Sequence, residues 1–272
     1  LGKDDFLVYQ ELFNFGLKTN IDLAGESRTA ALVHTTDTMG ETELATSSFG
    51  QGFNVTMIQE ITAFCSLING GNYYEPHMVE RIISADGSTV ENIQPRLLKQ
   101  TVSEETSQKV IEYCNAVVTE GTGKTARPAG YAIGGKTGTA QTIPRGNGEY
   151  VVSFMGYAPA DDPQIAIYVV VDRPNTAYQA DAKYATGIVR NVLTEVLPYL
   201  NIYMTEELSE KEQAELEERQ KEERNQIWYT FEIDEATGYA IDPTTGEFVD
   251  PETGDKISGD EPFMEIIEDE TE

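Results

Sequence analysis

Apolar residues recur along this chain with two different periods, and the alternation between them outlines the architecture. Phe6, Leu7, Tyr9, Leu12 and Phe13 predict a short helix from Asp5 to Phe15, closed by Gly16. A loop follows through "IDLAGES", and "ATSSFGQGFNVT" is rich in turn formers. Met57, Ile58, Ile61, Cys65 and Ile68 then repeat at helical spacing, with Asn54 or Thr56 as cap and Gly70–Gly71 as stop. "HMVERIISADGSTVENI" predicts a hairpin turning at Asp86–Gly87. Thr101 with Glu104 has the form of a capping box, opening a helix that runs to about Thr119.

Beyond "EGTGKTA" the period changes to that of strands. A strand carries Lys136, and "YVVSFMGYAP" and "QIAIYVVVDRP" follow as two more, joined by "ADDP", a tight turn with Pro163. The near-continuous apolar run Ile165–Val171 predicts a strand covered on both faces. "DAKYATGIVRNVLTEVLPYL" is amphipathic, with Ile188, Val189, Val192, Leu193, Val196 and Leu197 as its stripe. Strands followed by a closing helix imply an antiparallel sheet flanked by helices, an α/β fold of the α+β type.

The pattern breaks after Ile202. "EELSEKEQAELEERQKEERNQ" has few apolar positions and reads as a spacer-like charged helix. An internal repeat follows: "DEATGYAI", "DPTTGEFV" and "DPETGDKI", beginning at Asp234, Asp242 and Asp250. Each unit joins a D-x-x-T-G turn to a β-like tripeptide. Asx-type turns in a small β-meander explain the spaced aspartates better than loose calcium binding. The terminal "EDETE" is expected to be disordered. The chain thus divides into residues 1–202, a linker at 203–227, and an acidic tail at 228–272.

Charge sharpens this division. The net charge of the 272 residues is −28. Roughly two thirds of it lies after Leu200, as an acidic tail would give. Such a charge repels phosphate and argues against nucleic acid and anionic membrane surfaces. Cys65 and Cys114 fall in helical segments and read as buried small hydrophobes rather than a disulfide. No apolar run is long enough to span a bilayer. The chain begins at Leu1, so it is expected to be a piece of a longer polypeptide with any membrane anchor upstream.

The candidate chemistry lies in "GGKTGTAQT", Gly134–Thr142. A lysine ammonium can offset a ligand carboxylate, and the hydroxyls of Thr137 and Thr139 can hydrogen-bond it. Gly138 lets a substrate backbone approach and pair with the strand. The Thr139 N–H is then free to meet a developing oxyanion. Alternation along a strand turns Lys136 and Gly138 to one face and Thr137 and Thr139 to the other.

The surrounding segments carry a resemblance. "GLKTNIDLAGE" is similar to a G-x-x-T-G-I-D-L-P-G-E loop, with Asn20 and Ala24 in place of Gly and Pro. "ATSSFGQGFNVTMIQ", "INGGNYYEPHMV", "VVTEGTGKTARPAGYAIGGKTGTAQ" and "SFMGYAPADDPQIAIYVVVDRP" follow in matching order. Together they resemble the C-terminal half of a class B penicillin-binding protein transpeptidase domain, from Leu1 to about Ile202. The resemblance implies a five-stranded antiparallel sheet whose first two strands are not in this chain. It implies D,D-transpeptidation, in which a serine attacks the D-Ala–D-Ala bond of a peptidoglycan stem peptide and the acyl group passes to a neighbouring amine. β-Lactam antibiotics acylate the same serine.

Carried over residue by residue, the resemblance implies catalytic roles for Lys136, Thr137 and Thr139. Gly138, Gln141, Thr142 and Gln51 become substrate-binding positions, with Ser48 and Gly50 shaping the cleft floor. No cofactor or metal is implied. The location is the extracytoplasmic face of the bacterial membrane, where other cell-wall synthesis proteins are candidate partners. The chain departs from the pattern in one respect: no serine has a lysine three residues on, and no S-x-N triplet occurs. The nucleophile, its lysine base and the second oxyanion donor are expected upstream, and these residues alone are expected to be inactive. A split enzyme and a non-catalytic wall-interaction module are the alternatives. The resemblance also suggests that the Lys136 strand is central in the complete sheet. Without its neighbour it would be an unpaired edge, lowering the solubility of the isolated core.

Overall fold

The computed structural model describes residues 1–228, 234, 239–241, 248–249 and 256. The chain forms two compact units, Leu1–Glu206 and Glu207–Glu272.

The first unit opens with helix α1 (Lys3–Leu12), which ends before the expected Phe15; Asn14, at φ 59°, breaks the helical path. Helix α2 (Glu41–Ser47) was not foreseen, because "ETELATS" has no apolar face to read. Helix α3 (Met57–Ile68) starts at a capping box. The Thr56 hydroxyl accepts from the Gln59 amide N–H at 3.2 Å, and the Gln59 side chain accepts from the Thr56 N–H at 2.8 Å. Gly71 stops the chain after α3 at φ 90°, where an added Cβ would sit 1.9 Å from the Val102 carbonyl oxygen.

Two short antiparallel β pairs follow. Strand β1 (Asn72–Glu75) pairs antiparallel with β4 (Arg96–Gln100), enclosing the predicted hairpin of β2 (Arg81–Ile83) and β3 (Thr89–Asn92). Helix α4 (Glu104–Thr119) is capped by Ser103, whose hydroxyl accepts from the Thr106 N–H at 3.2 Å. Thr101 was the expected cap. It is instead buried, donating to the Ser66 hydroxyl and the Gly71 carbonyl, which removes it from capping.

Three strands complete the unit: β5 (Gly134–Gln141), β6 (Tyr150–Ala158) and β7 (Ile165–Asp172), in the order β5-β6-β7 and antiparallel throughout. The strand carrying Lys136 is an edge strand, as expected for this chain without the neighbour that the resemblance implies. Short connections on both sides put β6 in the middle, and β5 and β7 each present an outer edge. Helix α5 (Lys183–Tyr199) packs Ala185, Val189, Leu193 and Leu197 on one sheet face. Phe154, Ala158, Ile165, Ile167, Val169 and Val171 meet it there. Of the expected stripe on α5, Ile188 and Val192 stay exposed. β7 is half-buried along its length, since α5 covers one face and α3 only part of the other. Helices α3 and α4 cover the opposite sheet face with Phe64, Ile68 and Cys114 around Tyr157. Both cysteines are free, Cys114 buried and Cys65 partly so.

The residues just after Ile202 still belong to this unit. The N–H groups of Thr205 and Glu206 donate to the Gly130 carbonyl at 2.9 and 3.0 Å, and Arg127 pairs with Glu206 at 2.5 Å.

In the second unit the charged run forms helix α6 (Glu210–Trp228). The described residues of the repeats pair with one another. β8 (Ala240–Ile241) runs antiparallel to β9 (Phe248–Val249), and Val249 bridges to Lys256 in the third repeat. Asp242, Asp250 and the terminal "EDETE" lie outside the described residues. No helix among the described residues is long and apolar enough to cross a membrane.

Candidate active site

The direction of each backbone group on β5 follows from its register. Gly138 pairs with Ser153 and Lys136 with Met155, and the same register continues to Thr142 and Glu149. The Thr142 N–H donates to the Glu149 carbonyl at 3.0 Å, which marks that pair as hydrogen-bonded. Bonded and non-bonded pairs alternate in an antiparallel ladder. Lys136, Gly138 and Ala140 therefore exchange bonds with β6, while the N–H and C=O groups of Thr137, Thr139 and Gln141 point away from it, at the open edge. The other side of β6 agrees: the Arg173 N–H donates to the Tyr150 carbonyl at 2.9 Å, so even-numbered β6 residues bond to β7.

Side chains divide between the faces as alternation requires. A Cβ at Gly138 would lie 2.4 Å from the Ser153 hydroxyl, on the face covered by α3 and α4. A Cβ at Gly135 would strike the Phe154 ring at 2.4 Å, on the α5 face. Lys136 shares the Gly138 face and Thr137 and Thr139 share that of Gly135. Lys136 is exposed, and its ammonium donates to the Thr137 carbonyl at 2.7 Å. That carbonyl is one of the outward edge groups, so the lysine folds over the strand's own open side. The Thr137 hydroxyl lies 2.8 Å from that of Thr122, and Thr139 is exposed.

The remaining candidates are arranged differently. The Thr142 hydroxyl accepts from the Asn147 side-chain amide at 2.8 Å, within the β5–β6 connection. Gln141 is half-buried at the strand end. Gln51 lies in the loop after α2, its N–H donating to the Thr46 carbonyl at 3.1 Å; no hydrogen bond joins this loop to β5 among the described residues. Ser48 and Gly50 share that loop. Sequence reasoning missed Thr122, Asn147 and Ser153. Thr122 stands in the "EGTGKTA" segment already singled out, but its contact with Thr137 is tertiary.

Electrostatics follow burial. Burial pushes the Cys114 thiol up, while the Lys136 charge acts to lower it. Burial also holds the Tyr157 hydroxyl well above its ordinary value; it donates to the Asn115 side-chain oxygen at 2.7 Å.

The N-terminal loop is a closed structural device. Glu26 accepts from the Thr19 N–H and hydroxyl and from the Asn20 N–H, at 2.5, 2.7 and 3.0 Å. Asn20 sits at φ 62°, a left-handed conformation that asparagine tolerates better than most side chains, which explains how it stands where the similar loop has glycine. Asp22 accepts from the N–H groups of Met78 and Val79, and those bonds hold its carboxyl below the usual range. Gln59, fully buried, ties this loop to α3 through Thr29 and the Leu17 carbonyl.

Comparison with known proteins places these elements together. Residues 1–194 match the family model of the penicillin binding protein transpeptidase domain. Stage V sporulation protein D of Bacillus subtilis is 41% identical over 206 residues, covering 74% of this chain and 32% of that protein. The apo crystal structure of penicillin binding protein 3 from Mycobacterium tuberculosis is similar with a TM-score of 0.66 and 29% identity, covering 76% of this chain and 49% of that one. The same protein complexed with ampicillin is similar with a TM-score of 0.65 and 29% identity, over 75% and 47%. The chain spans about a third of the length of the curated relatives it matches.

Proposed function

The chain belongs to the penicillin-binding protein transpeptidase family, and from that premise we propose that residues 1–202 are the substrate-recognition half of a serine D,D-transpeptidase. The observation that carries this reading is the phase of β5, which turns the Thr139 N–H and the Thr137 and Thr139 carbonyls to an open strand edge.

A D-Ala–D-Ala stem peptide, or a β-lactam in its place, lies along that edge as an added strand. A serine supplied from outside these residues attacks the carbonyl carbon. The Thr139 N–H donates to the oxygen as it becomes an oxyanion, a contribution of about 3 kcal/mol in the transition state. The Lys136 ammonium and the hydroxyls of Thr137 and Thr139 hold the substrate carboxylate. In the unliganded chain the Thr137 carbonyl holds that ammonium. A substrate N–H that pairs with the edge competes for the same carbonyl and frees the lysine for the carboxylate. Gly138 keeps the approach clear. Gln141 and Gln51 contact the peptide, while Thr142, held by Asn147, fixes the end of the strand. The acyl group then passes to the amine of a neighbouring stem, cross-linking the wall. The site works on the extracytoplasmic side of the bacterial membrane, where other wall-synthesis proteins are partners.

Intact-mass measurement after exposure to ampicillin tests the reading. The 272-residue chain alone gains no adduct. A longer polypeptide that carries the S-x-x-K serine gains one, and Lys136→Ala in it slows acylation on the order of 100-fold. An adduct on the chain alone, or unchanged acylation in the variant, would reject it.

A further inference from the structure

Thr137 and Thr139 stand on the same face of β5, but only the Thr137 hydroxyl is held. It lies 2.8 Å from the hydroxyl of Thr122, and either oxygen can be the donor. Among the described residues no other hydrogen bond reaches these two hydroxyls, and none reaches the hydroxyl of Thr139.

Thr122 is placed by its own backbone and not by this contact. It follows α4 in a Gly-Thr-Gly turn folded against the last helical turn. The Gly121 N–H donates to the Ala116 carbonyl at 3.1 Å, and the Gly123 N–H to the Val117 carbonyl at 3.0 Å. An added Cβ at Gly121 would lie 2.9 Å from the Val117 carbonyl oxygen, and one at Gly123 would lie 3.2 Å from the Phe154 ring. Beyond the turn the Thr125 hydroxyl meets that of Thr186 on α5 at 2.5 Å, and Ala126 is fully buried. Thr137 is fixed separately, by the β5–β6 ladder. Two backbones held by other contacts thus bring the hydroxyls together. Thr122 is exposed and Thr137 half-buried, so water competes for the pair and the bond adds little to stability.

The chemistry of a carboxylate gives the contact a direction. A threonine hydroxyl has one proton to donate and two lone pairs to accept with, whereas an ionised carboxylate only accepts. A Thr137 that holds a carboxylate commits its proton to the ligand and can only accept from Thr122. Thr122 must then be the donor. The sequence Thr122 to Thr137 to carboxylate aligns its O–H groups one way, and each bond polarises the next. The Lys136 ammonium, on the Thr137 carbonyl, brings positive charge to the same residue.

We propose that Thr122 is a positioning residue for the carboxylate end of the ligand: its hydroxyl donates to Thr137 and turns the Thr137 proton to the anion. This rests on the acyl-transfer reading, which assigns that carboxylate to Thr137. Thr122 touches neither the ligand nor the reacting atoms and acts through its neighbour.

The test compares ampicillin with its methyl ester, in which the carboxylate is capped, on a longer polypeptide that carries the S-x-x-K serine. Intact mass over time gives both acylation rates. Thr122→Val keeps the side-chain shape without the hydroxyl and lowers the ratio of the ampicillin rate to the ester rate about fivefold. Thr122→Ser keeps the original ratio. In a Thr137→Val background Thr122→Val changes nothing further, because the two hydroxyls act as one unit. A thermal melt verifies that each variant folds. An unchanged ratio in Thr122→Val overturns the proposal, whether neither rate falls or both fall together as a merely structural role would give. A full further loss in the Thr137→Val background, or a Thr122→Ser ratio as low as that of Thr122→Val, overturns it too. Lys136→Ala separates this failure from failure of the underlying reading. If Lys136→Ala slows ampicillin while Thr122→Val leaves the ratio unchanged, only the role of Thr122 falls; if Lys136→Ala changes nothing, both fall.

Discussion

The two faces of the β5–β6–β7 sheet differ in kind. The face under α5 is sealed: Phe154, Val152 and Ala158 of the sheet and Ala185 and Val189 of the helix are fully inaccessible, and the one fully buried polar side chain of the helix, Thr186, is bonded to the Thr125 hydroxyl. The face under α3 and α4 is unfinished. Tyr157 and Phe64 pack there, yet Lys136 stays in solvent, Glu60 faces a cavity, and Ser153 and Tyr168 bring hydroxyls to the same face. One sheet thus has a face that holds the fold and a face that keeps charge and open space. The same strands serve both because alternate residues point opposite ways.

Substitutions on the two faces should separate them, and the largest effect belongs to the sealed face. Leu193→Ala on α5 is expected to cost about 3–4 kcal/mol, measured by denaturant unfolding, because the packed seam cannot collapse around the loss. Met155→Ala deletes a comparable volume beside an existing cavity and should cost less than half as much; equal losses would erase the distinction. The glycines of β5 give a finer comparison. Gly135→Ala drives a methyl into the Phe154 ring and the Met155 carbonyl oxygen, neither of which can yield, and is expected to cost about 2–3 kcal/mol. Gly138→Ala meets the Ser153 hydroxyl, which can rotate away, and should cost under about 1 kcal/mol in the same assay.

The smallest effect is a gain. Burial raises the Glu60 carboxyl above 4.5, so the folded chain binds that proton more readily than the unfolded one. Stability from this group is therefore present below pH 4.5 and falls as pH rises through the folded value. Glu60→Gln should raise the melting temperature at pH 7, by less than Leu193→Ala lowers it, and the difference should vanish as pH drops below 4.5. A difference that persists in acid would remove Glu60 from its buried setting.

The sealed face was the more legible one in the sequence. The apolar runs of β6 and β7 and the positions Val189, Leu193 and Leu197 announce it through periodicity, because burial on one side is what creates a period. The unfinished face leaves no such trace. Its composition mixes lysine, serine, tyrosine and glutamate, and only the K-T-G-T string and the ordered run of similar segments pointed to it. The edge position of β5 agrees with the expectation that this strand lacks a neighbour here, which came from the resemblance and not from any residue pattern. The cap of α4 was placed two residues early: Thr101 and Ser103 are chemically alike, and the approach of Gly71 decides between them. Asn147, which holds Thr142, and Thr122, which meets Thr137, are tertiary neighbours that no local window contains.

The alternation of bonded pairs on β5 also makes the strand a counting device. One residue inserted between Thr139 and Thr142, with the Thr142–Glu149 pair kept, would swap inside for outside upstream: Lys136 would dive beneath α5 and the Thr139 amide would turn inward to its neighbour. Two inserted residues would restore the parity. Length changes in this stretch are tolerable only in even steps, so the spacing from Lys136 to Thr142 is fixed by arithmetic as much as by chemistry.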